Sequence, residues 1–382
     1  MSLITDTDAL SAFCSRLATS EFVTVDTEFI RDKTYWPILC LVQLAGEDEF
    51  AAVDALADGI DLTPLLDLMR DRSVLKVFHA ARQDFEIFYR LMGMVPQPVF
   101  DTQVSAMVCG FGDQVGYETI VSKLARQSID KTMRFTDWQR RPLSDKQLQY
   151  ALADVTHLRV VYRKLREMLE QNGRAEWVAE EMQTLTGDEL YQFDPRQSWR
   201  RVKSRNPKPR FLAILREVAA WREIEAQTRD VPRNRIVRDD ALLEIAAHRP
   251  KTEQDLANLR GLNRGQAQGA VGRAILDAVA KGVALPDKEC PAAPRQRQPA
   301  SPIGPSADLL KVLLKLKSEE HNVAQKLIAT SDDLEAIAAD DNADVAALKG
   351  WRREMFGDDA LALKRGRLAL TADGRNIKVV AL

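Results

Sequence analysis

The segment Phe22-Val23-Thr24-Val25-Asp26-Thr27-Glu28-Phe29 constrains this chain more than any other. It has the composition of a β-strand: β-branched and aromatic residues, with no glycine or proline. Side chains alternate across a strand, so Thr24, Asp26 and Glu28 share one face and Val23, Val25 and Phe29 the other. Two acids are thus aimed at one place from within an apolar run. Carboxylates so placed repel each other and are costly to desolvate unless cations or hydrogen bonds compensate. By itself the segment also reads as an edge strand with a wet face. What separates the two readings is whether the rest of the chain sends further acids to the same place.

At 382 residues the chain is long for one hydrophobic core, and two or three domains are expected. The N-terminus lacks the basic-then-apolar order of a secretory signal, and no apolar run is long enough to span a membrane. Cys14, Cys40, Cys109 and Cys290 stand far apart, which argues against a zinc site or a disulfide framework and fits a reducing cytoplasm. The net charge of −2 excludes a generic polyanion binder. It hides one local departure: Arg196, Arg200, Arg201, Lys203, Arg205, Lys208, Arg210 and Arg216 follow one another with no acid between them. Such a stripe fits a phosphate track or a solvated linker equally well.

Two more strands are expected over Ile38–Ala45 and Glu49–Val53, close enough to the first for an antiparallel meander. Strand and helix then alternate: helix at Leu62–Arg70, strand at Val74–Phe78, helix at Ala81–Leu91, a short strand at Val99–Asp101, and helices near Thr102–Val108 and Tyr117–Arg126. This order predicts a mixed sheet flanked by helices. The best-signed helix starts at Ser144, where Ser144 and Gln147 have capping-box spacing, and ends near Asn172-Gly173. Tyr150 and Asp154, four residues apart, project together from it. Beyond Gly187 the pattern is helical over Arg210–Ala280 and again over Leu309–Leu348, as an internal duplication would give. The end of the chain, from Leu361 to Val380, reads equally as strands or as a final helix with a tail. The expected division is 1–190 for the α/β domain, 191–209 for a basic connector, 210–285 for a first helical domain, 286–305 for a proline-rich linker and 306–382 for a second helical domain.

Asp26, Glu28, Asp84 and Asp154 come from segments that a sheet of this kind brings together. Magnesium and manganese favour such oxygen ligands, and paired ions stabilise both the attacking and the leaving oxygen in phosphodiester cleavage. Tyr150, one turn before Asp154, is placed to orient a water. Singly, Asp84 reads as a helix-start acid, Asp154 as a surface acid, Tyr150 as a core-edge residue and His79 as a hydrogen-bonded structural group. The combination carries the signal.

Val25-Asp26-Thr27-Glu28, His79-Ala80-Ala81 with Asp84, and Tyr150 with Asp154 together resemble the exonuclease motifs of the DEDD superfamily, in its tyrosine-bearing branch. Asp130-Lys131, Asp137-Trp138, Arg140-Arg141-Pro142-Leu143 and Tyr150-Ala151 with Ala153-Asp154 are similar to the ribonuclease D family in particular. Arg82-Gln83 depart from the small or acidic residues that the family often carries there. The resemblance implies a ribonuclease H-like α/β exonuclease domain followed by two small all-α HRDC-like domains, with Phe211–Val279 as the first and Leu309–Leu348 as a degenerate second. It implies two divalent metal ions, Mg2+ or Mn2+, on Asp26, Glu28, Asp84 and Asp154, with Tyr150 positioning the attacking water. Phe29 falls where the family lines the path of the terminal nucleotide, and His79, Arg200, Arg201 and Lys203 are further candidates for substrate contact.

The implied activity is 3′→5′ exoribonuclease action on tRNA precursors and other structured RNA ends, releasing 5′-mononucleotides, by a cytoplasmic monomer with no membrane partner. A DNA exonuclease keeps the same motifs, because recognition of the 2′-hydroxyl depends on pocket geometry. A non-catalytic RNA-binding protein has no need of all five site residues. A helicase is excluded by the lack of a G-x-x-x-x-G-K-[ST] phosphate loop.

Overall fold

The computed structural model describes residues 3–130, 132–133, 136–205, 208–292 and 304–382. Lys131 of the motif stretch, Asn206-Pro207 of the basic stripe and residues 293–303 of the proline-rich linker lie outside the described residues.

The expected first strand forms as β2 (Phe22–Ile30). With β1 (Leu3–Ile4), β3 (Ile38–Ala45), β4 (Phe50–Asp54), β5 (Leu75–Phe78) and β6 (Val99–Asp101) it makes a six-stranded sheet in the order β1-β4-β3-β2-β5-β6. β3 and β4 are antiparallel, while β2 with β5 and β5 with β6 run parallel, so the sheet is mixed. β2 is therefore central, with strands on both sides, and the wet-edge reading of its acids does not hold. The helices α1 (Thr7–Leu17), α2 (Thr63–Arg70), α3 (Arg82–Met92), α4 (Thr102–Val108) and α5 (Tyr117–Leu124) follow in chain order.

α6 (Asp145–Asn172) has the predicted capping box at Ser144 and Gln147, and it ends at Gly173 in the left-handed region (φ 68°). Leu152, Val155, Leu158, Leu165 and Leu169 bury its apolar face. A polar pin joins it to β2: the Thr24 hydroxyl donates to the Val155 carbonyl at 2.8 Å. Phe22, two residues earlier on the same strand face, packs its ring 4.6 Å from that of Tyr162.

The chain divides into two compact units. One holds the residues up to Glu28, Leu39–Asp188 and the C-terminal helices; the other holds Phe29–Ile38 and the chain from Glu189 through the first helical region. In the first unit, the C-terminal elements are α14 (Gly304–His321), α15 (Gln325–Ile328), α16 (Ser331–Ala339), α17 (Gly350–Arg352) and α18 (Asp358–Lys364), and α7 (Ala175–Leu185) meets α17. The Trp177 and Trp351 rings stack 4.5 Å apart and 9° from parallel. Arg352 pairs with Glu181 at 2.6 Å beside them. The undecided tail is an antiparallel hairpin, β7 (Leu368–Asp373) and β8 (Asn376–Ala381).

In the second unit, α8 (Pro209–Arg229), α9 (Arg233–Ile236), α10 (Asp239–His248), α11 (Glu253–Ala257), α12 (Arg264–Ala267) and α13 (Gly269–Ala284) enclose a core that includes Leu212, Leu215, Val218, Leu242 and Ile275. The stretch read as a basic connector is more ordered than that name implies. Pro195–Arg201 is a short 3-10 helix, and Trp199 and Val202 belong to the helical core. A buried indole outweighs the solvation of its basic neighbours.

α8–α10 and α14–α16 repeat one pattern. At constant spacing Val231 matches Val323, Ile236 matches Ile328, Leu242 matches Leu334, and Ile245-Ala246-Ala247 matches Ile337-Ala338-Ala339. Each long helix is followed by a four-residue helix, then by a fully extended residue, Val237 (φ −152°) or Ala329 (φ −153°).

Candidate active site

β2 presents Asp26 and Glu28 on the face toward α6, as strand alternation requires. α6 brings Asp154, immediately before the carbonyl that receives Thr24. One carboxylate oxygen from each of Asp26, Glu28 and Asp154 lies within 4.8 Å of the others. Asp84, in the first turn of α3, is outside that group of three, although it is buried and electrostatically felt by Glu28. Its carboxylate accepts from the Thr27 hydroxyl. Thr27 lies between Asp26 and Glu28 on β2, so this bond ties Asp84 to the strand that carries both of them.

The four acids share one electrostatic condition. Burial pushes Asp26 up to about 6 and, with the Asp26 charge beside it, Asp154 up to about 8. Burial, then Asp26, Asp154 and Asp84, push Glu28 up to about 10. Asp84 is also raised, by burial first and then by Asp26. Each charge makes the next harder to keep, and no arginine or lysine appears among the causes. The donor set is all carboxylate oxygen, which suits a hard divalent cation and offers a soft one nothing. These residues fit the metal that the motifs imply.

Beside the acids is a cleft of ≈ 370 Å³ lined in part by Asp26, Asp154, Tyr150, His79 and Tyr117. A larger cavity of ≈ 780 Å³, lined by Phe100, Tyr162 and Met182 among others, contains none of the four acids. Tyr150 is half-buried, its ring 6.2 Å from that of Trp138, and it opens on the acid cleft. His79 Nδ1 is 2.9 Å from the Thr102 hydroxyl. Burial holds this imidazole below its usual range, so a neutral ring lines the cleft.

Three residues that sequence reasoning passed over support this arrangement. The Tyr117 hydroxyl donates to the Asp154 main-chain carbonyl, holding α6 at the turn that carries the acid. Asp101 accepts from the backbone N–H groups of Ala80 (3.0 Å) and Ala81 (2.9 Å), fixing the turn into α3 in which Ala80 takes φ 59°. Thr27 seats Asp84. For Thr27 the available signal was its place between two acids; Tyr117 and Asp101 act through contacts with distant segments and left no local signal.

Comparison with known proteins identifies the assembly. Residues 1–170 match the 3′-5′ exonuclease family and residues 211–279 the HRDC domain. The chain is 52% identical over 379 residues to ribonuclease D of Granulibacter bethesdensis, covering 99% of this chain and 96% of that one. It is 53% identical over 380 residues to ribonuclease D of Nitrobacter hamburgensis, covering 99% of each. The chain belongs to the ribonuclease D family. Escherichia coli RNase D, described as an exoribonuclease involved in structured RNA processing, has the same fold: TM-score 0.83 at 28% identity, over 95% of this chain and 98% of that one.

Membership in the ribonuclease D family makes the chain a hydrolytic 3′→5′ exoribonuclease of a divalent-metal-dependent kind, with RNA as its substrate. No helix among the described residues is long and apolar enough to cross a membrane. Of the family-suggested substrate contacts, His79 lines the cleft. Phe29 does not share the acids' strand face, and it belongs with the second compact unit. Arg200, Arg201 and Lys203 are exposed on that unit. Arg200 lies 5.7 Å from the Trp199 ring centroid and Arg201 4.5 Å from that of Phe193.

Proposed function

We propose that this exoribonuclease trims structured RNA 3′ ends, tRNA precursors among them, and releases 5′-mononucleotides with the help of two Mg2+ or Mn2+ ions. The observation that carries this reading is the convergence of four carboxylates with no compensating cation among the described residues. Asp26, Glu28 and Asp154 would hold one ion; Asp84 would serve the second, with Asp26 shared. When bound, such ions supply the positive charge that a phosphodiester needs as its attacking and leaving oxygens develop charge.

The chain's own groups do the rest. Tyr150 orients the attacking water through its hydroxyl and holds it in line with the terminal phosphate. Thr27 and Tyr117 keep Asp84 and Asp154 in place, so little reorganisation is needed at the moment of reaction. His79, as a neutral ring in the cleft, contacts the terminal nucleotide. Arg200, Arg201 and Lys203 track the phosphates further along the RNA; Phe29 contributes to packing in preference to stacking on a base.

We further propose the domain division set out above, with one change: Phe29–Ile38 and the Trp199 segment go with the first helical domain. The protein acts in the cytoplasm as a monomer, a reading supported by four cysteines that all remain free thiols. The deciding experiment incubates 5′-labelled and 3′-labelled RNA, and matched DNA, with Mg2+ and with chelator. Mononucleotide release from the RNA 3′ end in Mg2+ alone is expected. Endonucleolytic fragments, activity in chelator, or equal turnover of DNA would overturn the reading.

A further inference from the structure

The two helical repeats end their long helices in the same unusual way. α8 stops at Asp230 (φ 49°) and α14 is followed by Asn322 (φ 52°), both in the left-handed region that short polar side chains tolerate. The two residues are at equivalent positions of the repeat, and each is engaged with a loop from elsewhere in the chain.

In the first repeat, Asp230 Oδ1 accepts from the backbone N–H groups of Tyr35 (3.1 Å) and Trp36 (2.9 Å). Trp36 Nε1 donates to the Gln227 carbonyl at 3.3 Å, and the Tyr35 hydroxyl donates to Glu223. These contacts seat Phe29–Ile38, the segment that continues the chain directly from Glu28. In the second repeat, Asn322 lies so close to Gly110 that a Cβ there would collide with its amide, and Gly110 has φ +81°. The Ala324 N–H donates to the Met107 carbonyl and the Lys326 N–H to the Asp113 carboxylate, each at 3.0 Å. Arg174 bridges the Val108 carbonyl (3.1 Å) and the His321 carbonyl (2.7 Å). Together they seat residues 107–116, the segment that runs directly into Tyr117, whose hydroxyl holds α6 at Asp154.

We propose that the repeats share one loop-gripping site, formed by the left-handed residue and the short helix after it. Each repeat uses it to position a segment joined in sequence to a residue of the acid site: the chain that follows Glu28 in one case, the chain that precedes Tyr117 in the other. Asp230 and Asn322 are positioning residues, and the helical modules contribute to turnover as well as to RNA affinity. The proposal rests on reading the acid cluster as the catalytic centre.

The test uses the full chain with Asn322→Ala, Gly110→Ala, Asp230→Ala and the conservative Asp230→Asn. Three readouts are taken: amide hydrogen exchange, steady-state turnover of the p-nitrophenyl ester of thymidine 5′-monophosphate, and turnover of an RNA oligomer. Asn322→Ala and Gly110→Ala should speed exchange within 107–116, and Asp230→Ala within 29–38. Each should lower kcat on both substrates on the order of tenfold, with KM for RNA within about twofold. Asp230→Asn keeps an acceptor oxygen and should recover most of the loss. Unchanged exchange overturns the proposal. So does unchanged kcat with weakened RNA affinity, which would make the repeats RNA-binding modules only. Exchange raised across the whole chain would mark general unfolding and count against a local grip. A wild-type chain inactive on both substrates would instead remove the catalytic reading beneath it.

Discussion

The acid pocket and the interior of the first helical unit both bury carboxylates, and they treat them in opposite ways. In the helical unit Glu223, 0% exposed, pairs with Arg233 at 2.8 Å and accepts from the Tyr35 hydroxyl. Arg222, 1% exposed, pairs with Asp239 at 2.6 Å and donates to the Val237 carbonyl at 2.9 Å. Each buried charge there has its counter-charge built into the fold. Around Asp26, Glu28, Asp84 and Asp154 none appears among the described residues, and every one of the four is pushed toward its neutral form. These charges of the helical unit are paired within the fold. On the proposed reading the acid pocket is completed from solution, and the repulsion among its members would be the drive for taking up a cation.

Removing an acid should therefore have opposite effects in the two places. Asp154→Asn should abolish hydrolysis, by at least about a thousandfold, while RNA binding persists in Ca2+. The same change should raise the melting temperature of the metal-free protein, because it relieves repulsion; a lower one would break the contrast. Glu223→Ala should destabilise the first helical unit by about 3–5 kcal/mol, since it leaves Arg233 without its buried partner. Chemical denaturation followed by far-UV circular dichroism measures this, and a cost near zero would mean that solvent already screens the cluster.

Tyr150→Phe should lower kcat about ten- to a hundredfold and leave the Mg2+-induced melting shift intact. If that shift disappears, Tyr150 belongs to the metal-holding set. A smaller effect should appear with pH. Burial pushes Asp26 up to about 6 and Asp154 up to about 8, above the value of 3.8 for an unperturbed aspartate. Between about pH 4 and 8 the folded chain holds protons that the unfolded chain has released. In chelator, stability should therefore be highest at the acidic end of that window and fall as pH rises through it, and Mg2+ should flatten the decline. Differential scanning fluorimetry across the window checks the sign. The smallest effect is expected from Arg200→Ala, Arg201→Ala and Lys203→Ala combined: weaker RNA binding with a salt dependence shallower by about two to three counter-ions. An unchanged slope would mark that segment as helical packing alone.

Much of the pocket is legible in the amino-acid sequence, because its members obey local periodicities. Asp26 and Glu28 share a face by strand alternation, Tyr150 and Asp154 by helical spacing, and the start of α6 is marked by the pairing of Ser144 with Gln147. Asp84 is legible as an acid at a helix start after a buried strand, but its seat on Thr27 is not. Tyr117 and Asp101 act through carbonyls and amides of other segments, which no local pattern reveals. The duplication is legible as lengths and order; its defining residue differs between copies, Asp230 in one and Asn322 in the other, and emerges only through a shared backbone conformation. The basic stripe misleads because charge counted over 196–216 leaves out the apolar pull of Trp199 and Val202. The C-terminal hairpin stays ambiguous because most of its residues are exposed, so burial imposes no alternation on them.

The bond from Thr24 to the Val155 carbonyl bears on how such an enzyme can diversify. It joins the strand and the helix within two residues of their acids, so the relative placement of Asp26 and Asp154 is set locally. Loops of the intervening stretch that carry neither the other site residues nor the 107–117 segment can then lengthen, shorten or be exchanged over evolutionary time without disturbing the placement of Asp26 against Asp154. Relatives with quite different surfaces and RNA preferences could share an unchanged catalytic geometry, provided that a hydroxyl survives at this one strand position.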